Sequence, residues 1–436
     1  MDTKLPQDDL TAVRFWRVLT PGSPTPPARR NASSTGDGTP ADAGRRRLAP
    51  AACHFIYSCL LCMLLLPSIA AAQARYTAKQ TGDIVQLRDA RTETIVSVIT
   101  SLGNAYEMVV KGQNVIRQTF TSVDEFRARP GLNGIPLLAP FANRLDEQAF
   151  YANGKKYNFD MELGNVRGTI PIHGYVSAAK DWKLVEAKAD AKAAWVTTKL
   201  DFYRNPQWMK QFPFAHTLEI SYRLEDGVLE VRTRIENLSV EPMPVAIGFH
   251  PYFQLTDSTR EDWTLSVAAQ THWLLADNKI PTGQTEPIEK FLANPKAVAL
   301  KDVDLDDVFG DLERDAQGRA VMSVKGKTQQ LDVIFGPNYR SAVLYSPNPA
   351  NARGGGGGRG RGTAPAPAPA PSPAAATLPL AGTSGNLTPR DFIAIEAMVG
   401  ITDSMNLAQK GLYKELQSVP PGGTWQESFW IRPKSF

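Results

Sequence analysis

The chain has 436 residues, of which 42% are hydrophobic and 21% are charged, as in ordinary globular proteins. The first 74 residues carry eight basic and five acidic side chains, which leaves 40 basic against 39 acidic in the remainder. A nearly neutral body excludes the basic surface typical of nucleic-acid-binding proteins. All three cysteines lie between positions 53 and 62, so the rest of the sequence excludes disulfides and thiolate metal sites.

The N-terminal part of the chain differs in composition from the remaining residues. Residues 1–50 contain Pro21-Gly22-Ser23-Pro24 and Asn31-Ala32-Ser33-Ser34, and we predict a disordered leader there. Residues 51–74 hold an apolar run that follows Arg45–Arg47 and ends in small residues, which is typical of an export signal. The run is also just long enough to span a bilayer as an uncleaved anchor. We therefore expect an exported protein, with membrane attachment as the alternative if residues 51–72 are retained.

From about Arg75 onward the sequence predicts β-structure. The best short helix candidate is Ser122 to Arg129, and no stretch has the pattern of a long amphipathic helix. Period-two alternation appears in Val196 to Phe202 and then over residues 216–236, where Asp226-Gly227 provides the turn of a β-hairpin. We predict an all-β fold of many antiparallel strands, with sheets packed face to face in a large sandwich.

The second half of the chain continues the strand pattern around one low-complexity segment. Residues 331–335, 341–345, 392–395 and 425–431 read as strands. Between the middle two lies a Gly/Arg and Pro/Ala tract that has no apolar surface to bury. Because its flanks read as strands, we interpret residues 75–436 as a single domain with an insertion at 347–390.

Three side chains in this β-domain have the chemistry for proton transfer. His173 and His250 can accept or donate a proton near neutral pH, and the carboxylate of Glu396 can accept one. One acid and one base around a small polar substrate suit a reaction that moves one proton on and another off. We expect Glu396 to be ionised beside a protonated imidazole, with mutual attraction favouring that state and burial opposing it. No HExxH spacing, nucleophile elbow or phosphate-binding glycine loop appears, so neither a metal nor another cofactor is predicted.

Six short strings, read in chain order, resemble the aldose 1-epimerases, also called galactose mutarotases. They are Pro140-Phe141-Ala142-Asn143-Arg144, Ile172-His173-Gly174, His250-Pro251-Tyr252-Phe253, Ile280-Pro281-Thr282-Gly283, Leu305-Asp306-Asp307-Val308-Phe309 and Ile395-Glu396. Each string alone is weakly specific. The six strings in this order, followed by the Pro421-Gly422-Gly423-Thr424-Trp425 turn, are fairly specific for the family. It covers roughly residues 78–431, interrupted by the insertion.

The resemblance implies a β-supersandwich with a sugar cleft and a function for individual side chains. Glu396 matches the general base that takes the proton of the anomeric hydroxyl, and His250 matches the general acid at the ring oxygen. His173 matches a second imidazole beside that oxygen. Arg144 and Asp306 match groups that hold sugar hydroxyls, and Asn143 is assigned to the same substrate-binding set. The implied activity is cofactor-free interconversion of the α and β anomers of a free aldose.

Other interpretations remain open at the level of the sequence. Arg144 has Asp146 and Glu147 as competing partners, and Asp306 lies in an acidic run with Asp304 and Asp307. Asp306 and Glu396 would also suit glycoside cleavage, although that leaves both histidines unexplained. A carbohydrate-binding protein without turnover is the third alternative.

Aromatic and histidine side chains outside these strings are expected to be structural. His216 and His272 lie in strand-like segments and match no residue of the family pattern. Trp182, Trp208 and Trp263 have the chemistry to stack on a sugar, but core packing is the better interpretation.

Overall fold

A computed structural model describes residues 74–348, 380–381, 387–388 and 390–436. The leader, the apolar run up to residue 73 and most of the insertion therefore lie outside the described residues. Within the described residues, no helix is long and apolar enough to cross a membrane.

The first half of the described chain consists mainly of strands, with two short helices between them. Its strands are β1 (Tyr76–Thr81), β2 (Ile84–Asp89), β3 (Thr94–Ile99), β4 (Asn104–Val110), β5 (Gln113–Asn114), β6 (Leu137–Leu138), β7 (Ala149–Ala152), β8 (Lys155–Asn158), β9 (Val166–Arg167), β10 (Ile170–Pro171), β11 (Lys183–Ala189), β12 (Ala194–Leu200), β13 (His216–Glu225) and β14 (Val228–Asn237). The helices of this half are α1 (Val123–Ala128) and α2 (Pro206–Gln211).

The second half adds strands on both sides of the insertion. They are β15 (Met243–Val245), β16 (Gly248–Phe249), β17 (Tyr252–Phe253), β18 (Thr264–Ser266), β19 (Ala269–Leu275), β20 (Pro281–Pro287), β21 (Val298–Ala299), β22 (Leu305–Leu312), β23 (Ala320–Lys325), β24 (Gln330–Phe335), β25 (Ser341–Ser346), β26 (Ile393–Met398), β27 (Gln417–Val419) and β28 (Thr424–Lys434). The helices are α3 (Ile288–Phe291) and α4 (Ser404–Gln409). The all-β class with a few short helices, predicted from the sequence, is thus confirmed.

Local sequence chemistry explains why individual elements form where they do. Ser122 caps α1 because its side chain accepts a hydrogen bond from the backbone N–H of Glu125. The hairpin β13–β14 turns at Asp226 and Gly227, both with positive φ (50° and 74°), as a type I′ turn requires. The strand expected to reach Phe202 ends at Leu200, because the chain enters a 3₁₀ turn that buries the Phe202 ring.

Three larger sheets form the body of the molecule. The first sheet holds β1 to β5 in chain order, and the second has the order β11-β12-β13-β14-β28-β24-β23-β18-β21. The third has the order β20-β19-β22-β25-β26-β16-β6, and β17 also pairs with β26. Alternate side chains of all three sheets meet in one apolar cluster, where for example Phe249 of β16 packs against Phe429 of β28.

The insertion connects two neighbouring strands of the third sheet, β25 and β26, which pair antiparallel from Ser341–Met398 to Tyr345–Ala394. Both strand ends are fastened by the buried Arg260. Its Nε donates to the hydroxyl of Ser346 (2.8 Å), and its backbone N–H donates to Asp391 (2.8 Å). The two strand ends that flank the insertion therefore lie side by side.

Candidate active site

One wall of the candidate site is the outer face of the third sheet. Asp306 on β22 lies opposite Tyr345 on β25, and Val343 of β25 lies opposite Glu396 on β26. Because side chains alternate along a strand, Asp306, Tyr345 and Glu396 project from the same face. The opposite face of these strands carries Leu344 and Ile395, which belong to the apolar core. Core packing on one face thus directs the polar side chains to the other.

The second wall consists of two irregular segments that run beside each other. Arg144 forms an isolated bridge with Ile172, and Ala139 forms another with Gly174. Gly174 has a φ of +58°, and a Cβ there would lie 2.1 Å from the carbonyl oxygen of Ala139. Only glycine fits this approach. The close contact brings His173, which precedes Gly174, next to Asn143.

His250 enters the site from the end of β16. Its backbone N–H donates to the carbonyl of Pro136 (3.2 Å), and its ring lies 4.6 Å from the ring of Tyr252. The neighbouring Gly248 faces β26 so closely that a Cβ would lie 2.1 Å from the Met398 sulfur. This tight approach places the imidazole of His250 beside Glu396.

A pocket of about 340 Å³ lies between the two walls. This volume is within the roughly 300–1,000 Å³ range of small-molecule sites. Its lining includes all six of the side chains that the sequence singled out: Asn143, Arg144, His173, His250, Asp306 and Glu396. Residues separated by up to 253 positions in the chain thus meet around one cavity.

The hydrogen bond at His173 defines its protonation. The backbone N–H of Asn143 donates to Nδ1 of His173 (3.2 Å), so Nδ1 carries no proton. Burial is the main cause that lowers the pKa of His173 well below its usual 6.5, and the nearby His250 and Arg144 charges add to the effect. His173 is therefore a neutral imidazole whose Nε2–H is left to donate.

His250 and Glu396 form the central contact of the pocket. Nε2 of His250 lies 3.1 Å from Oε1 of Glu396, and both side chains are buried. The second oxygen of Glu396, Oε2, is buried and has no hydrogen-bond partner among the described residues. Nδ1 of His250 is also buried without such a partner, so the pair has two polar atoms that are not engaged by the described residues.

Burial favours the uncharged form of both groups in this pair, whereas the sequence led us to expect an ionised Glu396. Desolvation, followed by the charge of Asp306, raises the pKa of Glu396 well above 4.5, although Arg144 opposes the shift. Desolvation lowers the pKa of His250 to about 3. Both shifts favour the uncharged forms, in which a proton on Glu396 is donated to Nε2 of His250.

The structure also distinguishes between the competing partners of Arg144 and Asp306. Arg144 donates through Nη1 to Oδ1 of Asn143 (2.9 Å) and through Nη2 to Asp306 (3.3 Å), and makes no ion pair with Asp146. Among the neighbouring acids, Asp307 binds His272 instead of facing the pocket. Asn143, Arg144 and Asp306 thus form a connected polar group along one side of the cavity.

Five further polar residues of the lining were not assigned a function from the sequence: Asn165, Arg167, Ser177, Tyr252 and Tyr345. Tyr252 had a detectable signal, because it lies two positions after His250 and so on the same face of an extended segment. Tyr345 had no detectable signal in the sequence, since its position opposite Asp306 follows only from the pairing of β22 with β25.

Phe392, at the end of the insertion, packs against Tyr252 with ring centroids 5.2 Å apart. The insertion therefore ends beside the pocket.

The tryptophans expected in the core are buried there. Trp182, Trp208 and Trp263 are at most 8% exposed, and none lines the pocket. His216 is likewise structural, since its ring stacks on Phe202 at 4.0 Å and its Nδ1 contacts the carbonyl of Phe214. Among the described residues, no group of three or more His, Cys, Asp or Glu side chains is arranged to hold a metal ion.

Comparison with known families agrees with the geometry of the site. The family model for aldose 1-epimerase matches residues 92–373, which is more than half of the chain. The chain therefore belongs to the aldose 1-epimerase family. The match includes five of the six site residues and ends before Glu396, which reaches the pocket through the pairing of β25 with β26.

Solved structures of this type share the fold at low sequence identity. A galactose mutarotase-like protein from Clostridium acetobutylicum is 19% identical with a TM-score of 0.64, over 83% of this chain and 98% of that chain. A galactose 1-epimerase from Lactobacillus acidophilus is 15% identical with a TM-score of 0.59, over 82% and 98%. An aldose epimerase homologue from C. elegans is 14% identical with a TM-score of 0.58, over 79% and 97%. These similarities establish a galactose mutarotase-like β-supersandwich.

Proposed function

We propose that the protein is an aldose 1-epimerase, which interconverts the α and β anomers of a free aldose by opening and closing the sugar ring. The observation that carries the proposal is the contact between Nε2 of His250 and Oε1 of Glu396 inside a pocket lined by further sugar-binding groups. A carboxyl and an imidazole that share one proton supply one acid and one base without a cofactor.

The proposed reaction begins with a proton shift inside this pair. Transfer of the shared proton from Glu396 to His250 gives a carboxylate beside an imidazolium and leaves the proton count unchanged. Glu396 then takes the proton of the anomeric hydroxyl through Oε2, and His250 gives its proton to the ring oxygen. The C1–O5 bond breaks as the C1–O1 bond becomes a carbonyl, so atoms and charge balance.

The remaining groups of the pocket position the sugar. His173 donates from Nε2–H to the ring oxygen, where charge develops as the bond to C1 breaks. Arg144 and Asp306 hold hydroxyl groups and keep the ring in register between the acid and the base. Rotation about C1–C2 and closure by the reverse steps give the other anomer. Each positioned proton transfer typically contributes about 10²–10⁴ in rate.

Polarimetry on freshly dissolved, anomerically pure D-glucose, D-galactose, D-xylose and L-arabinose tests the proposal. We expect acceleration with at least one sugar, and its loss in the variant Glu396→Gln. Glu107→Gln is the matched control, since Glu107 is equally buried (1%) but lies on β4 and does not line the pocket. No acceleration with any sugar, together with calorimetric binding, would instead support a carbohydrate-binding protein.

Release of reducing sugar from p-nitrophenyl glycosides distinguishes the glycosidase alternative. Glycoside cleavage requires a pair of carboxyl groups, and Asp306 and Glu396 are the candidates for that pair. In the structure Asp306 is engaged by Arg144, and Glu396 faces an imidazole instead. We therefore expect no cleavage of these substrates.

We also propose that the protein acts after export, on the basis of residues 51–74. An apolar run with a basic flank and small residues at its end supports a cleaved signal. N-terminal sequencing of the protein from membrane and soluble fractions tests this: cleavage near residue 74 is expected, and an intact apolar run in the membrane fraction would indicate an anchor.

A further inference from the structure

His272 on β19 lies between two carboxylates. Its Nδ1 is 3.0 Å from Oε1 of Glu286 on β20, and its Nε2 is 3.1 Å from Oδ1 of Asp307 on β22. The ring also stacks on Phe291 of α3, with centroids 3.9 Å apart and an angle of 13°. Because ionised carboxylates only accept hydrogen bonds, both ring nitrogens have to donate. An imidazole with two N–H groups is a cation.

The surroundings of His272 favour this charged form. Burial by itself lowers the pKa of His272, but the hydrogen bonds and charges of Asp307 and Glu286 outweigh it and raise the pKa above 6.5. The adjoining surface cavity also contains one acid and one base, Asp277 and Lys279. The exposed charges of α3 are similarly balanced, with Glu289 and Lys290. The two bound carboxylates therefore dominate the local charge.

Asp307 links this imidazole to the sugar pocket. One of its oxygens binds His272, and the other, Oδ2, accepts a hydrogen bond from the backbone N–H of Asp306 (3.0 Å). Successive residues of a strand face opposite sides, so Asp306 lines the pocket while Asp307 lies on the side of His272. The carboxylate of Asp306 in turn holds Arg144 at 3.3 Å. A continuous set of contacts thus runs from His272 to the side chains that line the pocket.

We infer that His272 is a positioning residue for sugar binding: as an imidazolium it orients Asp307, and Asp307 fixes the strand at Asp306. The inference rests on the proposed function of the pocket. A neutral ring has one N–H, so on deprotonation one carboxylate would face a lone pair and lose its donor. If Asp307 is the one released, the backbone N–H of Asp306 loses its fixed acceptor. The expected consequence is a KM that rises with pH while kcat is unchanged, because neither group touches the reacting atoms.

The variant Glu286→Gln tests this inference, since it removes one of the two anions that stabilise the imidazolium and lies outside the pocket. We expect the pH at which KM rises to move down by about one unit, with the pH profile of kcat unchanged. Glu289→Gln is the matched control, because it makes the same charge change on the adjacent α3 without contacting His272. A KM profile that moves equally in both variants, or in neither, would overturn the inference.

NMR titration of the Cε1–H resonance of His272 in the full chain gives a readout that does not depend on turnover. The pKa of His272 should fall by about one unit in Glu286→Gln, in step with the KM profile. In His272→Gln, which carries no charge at any pH, the KM should be raised at low pH by about tenfold and should lack the pH-dependent rise. Loss of thermal stability with an unaltered KM profile would show a structural function only and overturn the inference.

The same measurements separate the positioning of the sugar from its turnover. If the wild-type protein accelerates no mutarotation, the proposed function fails, and the dissociation constants of D-galactose and D-glucose, measured by calorimetry against pH, replace KM. A pH-dependent dissociation constant that shifts in Glu286→Gln supports positioning by His272 even then. Binding that is independent of pH, or absent for both sugars, counts against it.

Discussion

The backbone N–H of Asn143 donates to Nδ1 of His173 (3.2 Å), and the backbone N–H of His173 donates back to the carbonyl of Asn143 (2.8 Å). Both residues have positive φ, 57° and 61°, which is uncommon for residues with a side chain. The reciprocal pair holds this backbone geometry and the orientation of the imidazole together. Strained backbone of this kind is characteristic of functional sites.

This pair predicts one tautomer for His173. Because Nδ1 accepts a hydrogen bond from the backbone, the proton of the neutral ring has to be on Nε2. ¹⁵N-resolved NMR of the imidazoles should show an unprotonated Nδ1 in His173 that persists when the pH falls below 6.5, whereas an exposed histidine becomes cationic. A cationic His173 at pH 6 would contradict the prediction.

Glu396→Gln should lose activity and gain stability above about pH 5. The pKa of Glu396 is raised in the folded state, so its contribution to the free energy of unfolding is complete below its unfolded value and is lost as the pH rises toward the folded value. A glutamine avoids this loss and can still donate to His250. Urea denaturation should give similar free energies of unfolding at pH 4 and a gain of about 1–3 kcal/mol for the variant at pH 8.

The matched variant Glu107→Gln controls for general effects of the substitution. Glu107 is equally buried and accepts a hydrogen bond from the hydroxyl of Ser97 (2.7 Å). It should keep mutarotase activity. If the Glu396→Gln protein were less stable than the wild type at pH 8, the ionised carboxylate of Glu396 would not be lowering the free energy of unfolding, and the prediction would be wrong.

The acid limb of activity should lie far below the ordinary pKa of histidine. The pair formed by His250 and Glu396 works with one proton, and a second proton on His250 abolishes the base. Because burial lowers the pKa of His250 to about 3, kcat/KM should not decline as the pH falls through 6.5 and should decline only near pH 4 or below. A decline of kcat/KM on the acid side between pH 6 and 7 would instead indicate that water reaches His250 and Glu396 and that the pKa of His250 is not lowered.

Gly174→Ala should disrupt the second wall of the pocket. The added Cβ would lie 2.1 Å from the carbonyl oxygen of Ala139. We expect the free energy of unfolding to fall by about 3 kcal/mol or more, and activity to be lost as well. Gly168→Ala is the control, because Gly168 also has positive φ (65°) but open space around it. It should cost only about 1 kcal/mol. Equal losses of stability in thermal denaturation would assign the effect to backbone strain alone.

Much of the fold was predictable because the signals are local. The alternation of apolar and polar residues identified the hairpin β13–β14 and the strands that flank the insertion. Asp226-Gly227 identified the turn of the hairpin. The boundary at Phe202 was wrong, since the apolar ring continues the strand pattern while its backbone enters a 3₁₀ turn. Short strands such as β16 and β17 have too few residues for any pattern to show.

The sequence by itself determined the chemistry available at the site: two imidazoles, one carboxylate and an arginine in strings that resemble one family. Their residue types and local backbone restrictions are properties of neighbours in the chain. Only the tertiary structure decided that Glu396 faces His250, that His173 is neutral and that Tyr345 shares the pocket. These outcomes depend on strand pairing over long separations and on the desolvation that pairing causes, and neither is encoded in a local pattern.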